Sequence, residues 1–106
     1  MSKFFRGAYG YDIIGRYEDG KILVGISGYN VVGRLDDGKI LNGPYGYDII
    51  GRYEDGKILA GISGYNIVGR LDDGKILKGP YGYDVIGRYE GGEKSGAAAA
   101  ALLLLL

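Results

Sequence analysis

Apolar and polar positions in this chain come in short paired runs. In Tyr11–Leu23, YDIIGRYEDGKIL, one run rich in Ile and Tyr ends at Asp-Gly and a second follows at once. No stretch of this kind keeps a 3.6-residue period long enough to suggest a helix. Asp-Gly supplies the positive φ that a two-residue type I′ turn requires, so each pair of runs predicts a β-hairpin. The turn sets the register. With Asp19-Gly20 as the loop, Glu18 faces Lys21, and the acid–lysine pairing recurs as Asp36/Lys39, Glu54/Lys57 and Asp72/Lys75. Strict alternation then puts Tyr11, Ile13, Gly15, Tyr17, Ile22, Val24 and Ile26 on one apolar face. The other face carries Asp12, Ile14, Arg16, Glu18, Lys21 and Leu23, a charged frame around two aliphatic residues.

The hairpin is a repeat. Tyr11 to Tyr45 matches Tyr47 to Tyr81 except at Val24/Ala60, Val31/Ile67 and Asn42/Lys78. Inside each copy, YDIIGRYEDGKIL alternates with the YNVVGRLDDGKIL form, giving a unit of about 18 residues, too short for most helical solenoids. KFFRGAYG at residues 3–10 aligns with KILKGPYG at residues 75–82, so the chain opens on a second strand. YDVIGRYE at residues 83–90 is a first strand with no partner following it. Two orphan halves at opposite ends of an array can pair and close a ring, which removes exposed sheet edges. The expected fold is all-β: a closed, shallow antiparallel barrel of about ten short strands, each roughly seven residues or 23 Å long before tilt. Residues 1–90 form the barrel domain, 91–96 (GGEKSG) a flexible linker, and 97–106 an apolar Ala/Leu tail.

A barrel of more than about eight strands does not fill itself with its own side chains. The apolar face therefore predicts an inner ring that binds an apolar or amphipathic ligand. Its members are Tyr11, Ile13, Tyr29, Val31, Tyr47, Ile49, Tyr65, Ile67, Tyr83 and Val85, completed by Ile22, Ile40, Ile58 and Ile76. Gly15, Gly33, Gly51, Gly69 and Gly87 share that face and permit close approach. Arg6, Asn42 and Lys78 break the column at the position of Val24, which places them at a wet opening or reverses the face there.

Composition removes most chemistries. The 106 residues contain no Cys and no His, which excludes a disulfide framework, thiolate chemistry and the commonest general base and metal ligand. Lys plus Arg equals Asp plus Glu at 13 each, interspersed, so no basic stripe tracks a nucleic acid. The carboxylate pairs Glu18-Asp19, Asp36-Asp37, Glu54-Asp55 and Asp72-Asp73 are explained by the turn and the facing lysine, and they are too widely spaced to converge on one ion. No serine sits beside a base, and the glycine spacings lack the strand–loop–helix context of a phosphate loop. These absences predict a protein that is not an enzyme and uses no cofactor or metal.

Arg16, Arg34, Arg52, Arg70 and Arg88 recur at one position. They read either as contacts to lipid headgroup phosphates or as a ladder of arginine–acid pairs on the outer face. The tyrosines suit a membrane interface or a packed barrel mouth equally.

Closed hairpin units of GKIL–GYDIIGRYEDG type, over residues 3–90, resemble the β-flower family of shallow symmetric β-barrels. β-Flowers look superficially like Tubby-like and scramblase-like barrels, and the resemblance implies lipid binding. The tail, Ala97 to Leu106, is ten apolar helix formers, about 15 Å as a helix and half of what a bilayer needs. It offers three fates: insertion into one leaflet as a membrane anchor, plugging the barrel, or bundling with other copies as a homo-oligomer. MSKFFRGAYG lacks the apolar run of a signal peptide, which predicts a cytoplasmic protein, membrane-associated through the tail.

Overall fold

A computed structural model describes residues 2–106. The ten strands are β1 (Ser2–Arg6), β2 (Ile13–Glu18), β3 (Lys21–Val24), β4 (Val31–Asp36), β5 (Lys39–Asn42), β6 (Ile49–Glu54), β7 (Lys57–Ala60), β8 (Ile67–Asp72), β9 (Lys75–Lys78) and β10 (Val85–Tyr89). Each pairs antiparallel with its chain neighbours, and β1 pairs with β10 to close the barrel. The Asp-Gly turns have the expected geometry, with φ 49° at Asp19 and 83° at Gly20. Glu18 lies opposite Lys21 as the turn requires. The pairing is one of register rather than ion contact. Among the described residues the one cation–carboxylate contact within 4 Å joins Arg6 to Asp12 at 3.6 Å.

The strands have four to six residues, shorter than the sequence predicts, because six residues between successive hairpins form loops; each unit also contains a β-bulge. Phe4 pairs with Gly15 but Phe5 pairs with Ile13, leaving Ile14 as the extra residue. The same shift recurs at Val32, Ile50, Val68 and Ile86. A bulge puts two successive residues on one side, so alternation reverses beyond it. Ile14, Val32, Ile50, Val68 and Ile86 therefore pack against the core. Ile13, Val31, Ile49, Ile67 and Val85 face outward, which corrects the inner ring. Downstream of the bulge the reading holds. Ile22, Ile40, Ile58 and Ile76 are fully buried inside, while Leu23, Leu41, Leu59 and Leu77 are buried on the outer side.

The lumen is filled by α1 (Glu93–Leu104). Of the three fates open to the tail, the plug is the one realised, and the tail is not a free anchor. The helix begins at Glu93, inside the stretch expected to be a linker, and Glu93 Oε2 accepts the Gly56 backbone N–H at 2.9 Å. Alanine is what fits. Ala97 to Ala101 are completely buried within the ring of Ile22, Ile40, Ile58, Ile76 and Phe4, where longer side chains would collide.

The five leucines follow a different rule. Leu102, Leu103, Leu104, Leu105 and Leu106 sit over Gly15, Gly87, Gly69, Gly51 and Gly33, one leucine to each hairpin unit in order around the ring. One circuit takes five residues where a regular α-helix takes 3.6. The last turn loosens accordingly, with the Leu105 and Leu106 N–H groups both donating to Ala101 O. A methyl group on Gly51 would come within 2.6 Å of Leu105 Cδ1 and 2.7 Å of the Leu59 carbonyl. Gly51→Ala is therefore expected to destabilise the fold by about 1–3 kcal/mol, the usual range for overpacking. A chemical-denaturation midpoint equal to that of the unchanged chain would contradict the leucine-over-glycine packing.

Candidate functional site

The two rims of the barrel differ in kind. One carries the four Asp-Gly turns and the start of α1. The other carries five six-residue loops, 7–12, 25–30, 43–48, 61–66 and 79–84. Each loop contains two glycines at positive φ, such as Gly43 (75°) and Gly46 (84°), which bring its carbonyls back toward the wall.

The arginines hold those carbonyls. Arg34 donates from Nε to Gly43 O at 2.9 Å and from Nη2 to Gly46 O at 2.7 Å. Arg52 donates to Gly61 O and Gly64 O at 3.2 and 2.6 Å, and Arg70 to Gly79 O and Gly82 O at 2.9 and 2.8 Å. Arg88 reaches across the closure to Gly7 O and Gly10 O, so the last strand fixes the first loop. Arg16 makes the same clamp through Nη1 and Nη2 on Gly25 O and Gly28 O, leaving its buried Nε unpaired. The expected arginine–acid ladder is absent among the described residues, because the carbonyls lie nearer than any carboxylate. As for the headgroup reading, two donors of each guanidinium are engaged within the wall.

With the backbone clamped inward, the loop side chains point out. Tyr11, Tyr47 and Tyr83 are more than four-fifths exposed, and Tyr29 and Tyr65 are 60% and 63% exposed. They line no interior. Ile13, Val31, Ile49, Ile67 and Val85 are half-buried on the outer wall behind them. Tyr11 packs edge-on against Phe5, at 5.6 Å between ring centroids, and the Arg88 guanidinium lies 5.2 Å from the Phe5 ring centre. Arg6, Asn42 and Lys78 are exposed at the strand ends of this rim, the wet opening. The leucines at the centre are half-buried, and Leu106 is 39% exposed.

Sequence reading missed Tyr9, Tyr45, Tyr81, Ile26 and Ile62 as members of this surface. Their signal was present: apolar residues inside glycine-rich connections have no strand face to occupy. Ten of the eleven large apolar side chains most exposed among the described residues lie two to a loop on this one rim, and the eleventh, Leu106, lies at its centre. The result is an aromatic crown around an apolar floor on one face of a disc 35 × 34 × 18 Å.

The opposite rim is acidic and ordinary in chemistry. No group of three or more carboxylates converges there among the described residues. Tyr53 has its pKa raised above 10, first by burial and then by Tyr17, Glu93 and Asp37 nearby. No family model, curated protein or solved structure matches the chain.

Two expectations follow. Arg52→Lys keeps the charge but loses the fork, and is expected to cost about 1–2 kcal/mol and to speed amide exchange in loop 61–66. Unchanged exchange there would show that the clamp does not order the loop. The unfolded tyrosine ionises first as pH rises, so stability is lost from about pH 10 upward as Tyr53 is forced toward its anion. Tyr53→Phe should soften that alkaline decline in a pH series of denaturation midpoints; an identical decline would assign it elsewhere.

Proposed function

We propose that the chain is a non-enzymatic module that binds an amphipathic surface, a lipid membrane, by laying the tyrosine crown against it. One observation carries the reading. The large exposed apolar side chains are gathered on one rim, whereas a solvated monomer scatters such residues over its whole surface. Tyrosine suits the membrane interface, because its ring is buried among acyl chains while its hydroxyl stays wet. The half-buried leucines at the centre of the crown add an apolar floor that water covers poorly.

The helix in the lumen changes where a ligand is met. The inner cavity is occupied by Ala97–Ala101, so the lipid is engaged at the rim and not in a pocket. Membrane association then belongs to the crown, with the tail contributing only its last leucines. Among the described residues no helix is long and apolar enough to cross a bilayer; the mode proposed is surface attachment through the crown.

The test is cosedimentation with vesicles. Replacing Tyr11, Tyr47 and Tyr83 together by serine is expected to weaken vesicle binding by about ten-fold or more, while circular dichroism shows the barrel intact. Binding by the triple variant equal to that of the unchanged chain would overturn the crown as the attachment surface.

A further inference from the structure

The chain has no net charge, yet its charges are sorted between the two rims. The five clamping arginines lie on the loop side, with Arg6 and Lys78 at the strand ends beside them. Among the side chains there, only Asp12, Asp48 and Asp84 oppose them, so seven positive side chains meet three negative ones. The remaining ten carboxylates lie at the Asp-Gly turns, at the strand ends beside them and at the start of α1, whereas Lys3, Lys21, Lys39, Lys57 and Lys75 lie in the wall directly opposite Arg16, Arg34, Arg52, Arg70 and Arg88. Carbonyl oxygens satisfy the arginine hydrogen bonds without cancelling the charge. Arg6 alone among the described cations has a carboxylate within 4 Å. The disc therefore has a positive aromatic face and a negative opposite face, 18 Å apart at most.

We propose that the surface met by the crown is anionic, and that this polarity sets which way the disc lands. The inference rests on the crown being the membrane-binding face. Anionic headgroups attract the loop rim and repel the acidic one, so the dipole orients the approach before the tyrosines insert. Because the Debye length at physiological salt is about 8 Å, shorter than the thickness of the disc, the surface responds mainly to the face turned toward it. Overall neutrality hides this from a count of charges.

The experiment measures partition of the full chain onto vesicles of phosphatidylcholine alone and of phosphatidylcholine mixed with phosphatidylglycerol, at low and high salt. The mixed vesicles are expected to bind about ten-fold more tightly at low salt, with the difference closing at high salt. Two variants with the same change in net charge then test orientation. Asp48→Lys, on the crown, should strengthen binding to the mixed vesicles several-fold more than Glu54→Lys, on the far rim. Equal binding to both vesicle types overturns the anionic preference and leaves the crown reading standing. An equal gain from the two variants overturns the oriented approach. Binding to neither vesicle overturns the crown reading itself. Light scattering of the lipid-free chain completes the test: salt-sensitive stacks would show that the positive face is made for the acidic rim of another copy, against the proposal.

Discussion

The contact between Ala97–Ala101 and the isoleucine ring is what the rest of the structure depends on, because a ten-stranded wall encloses more volume than its own side chains fill. Ile22, Ile40, Ile58, Ile76 and Phe4 reach inward but cannot meet across the middle. An α-helix is about 10–12 Å across with ordinary side chains and narrower with alanine, and Ala97–Ala101 pack fully buried within the ring. Where the wall thins to glycine, the gap widens and leucine takes over. The two halves of the tail are thus two answers to one packing problem, set by which residue of the repeat faces inward at each level.

Closure links that core to the crown. Each arginine fixes the loop that leads from its own hairpin to the next, and Arg88 fixes the first loop from the last strand, so all five loops around the ring are clamped. Clamping pulls the loop carbonyls toward the wall and leaves the tyrosines nowhere to go but out. One set of hydrogen bonds therefore orders the loops, exposes the aromatic surface and leaves uncompensated positive charge beneath it.

Most of the fold was legible because Asp-Gly fixes both turn type and register, and because the orphan half-units can only pair with each other. The face assignment failed at one place for one reason. A single extra residue, Ile14 and its equivalents, reverses alternation, and nothing in an apolar Ile-Ile pair shows which of the two will bulge. That reversal moved Ile13 and its equivalents from the expected inner ring to the outer wall, and the loops carried Tyr11 and its equivalents outward with them. The arginines pointed toward acids on a list of charges, whereas their partners are backbone carbonyls supplied by loop geometry that no residue type announces. The fate of the tail became decidable only once the closed wall and the residues lining its lumen were in place.

Hydrogen exchange of the full chain with and without anionic vesicles tests the account most directly. It predicts that Ala97–Ala101 are protected as strongly as the strands in both conditions, that vesicles slow exchange in the five crown loops, and that the Asp-Gly turns are unaffected. Vesicle-induced protection at the Asp-Gly turns, or a tail that exchanges freely before lipid is added, would contradict it.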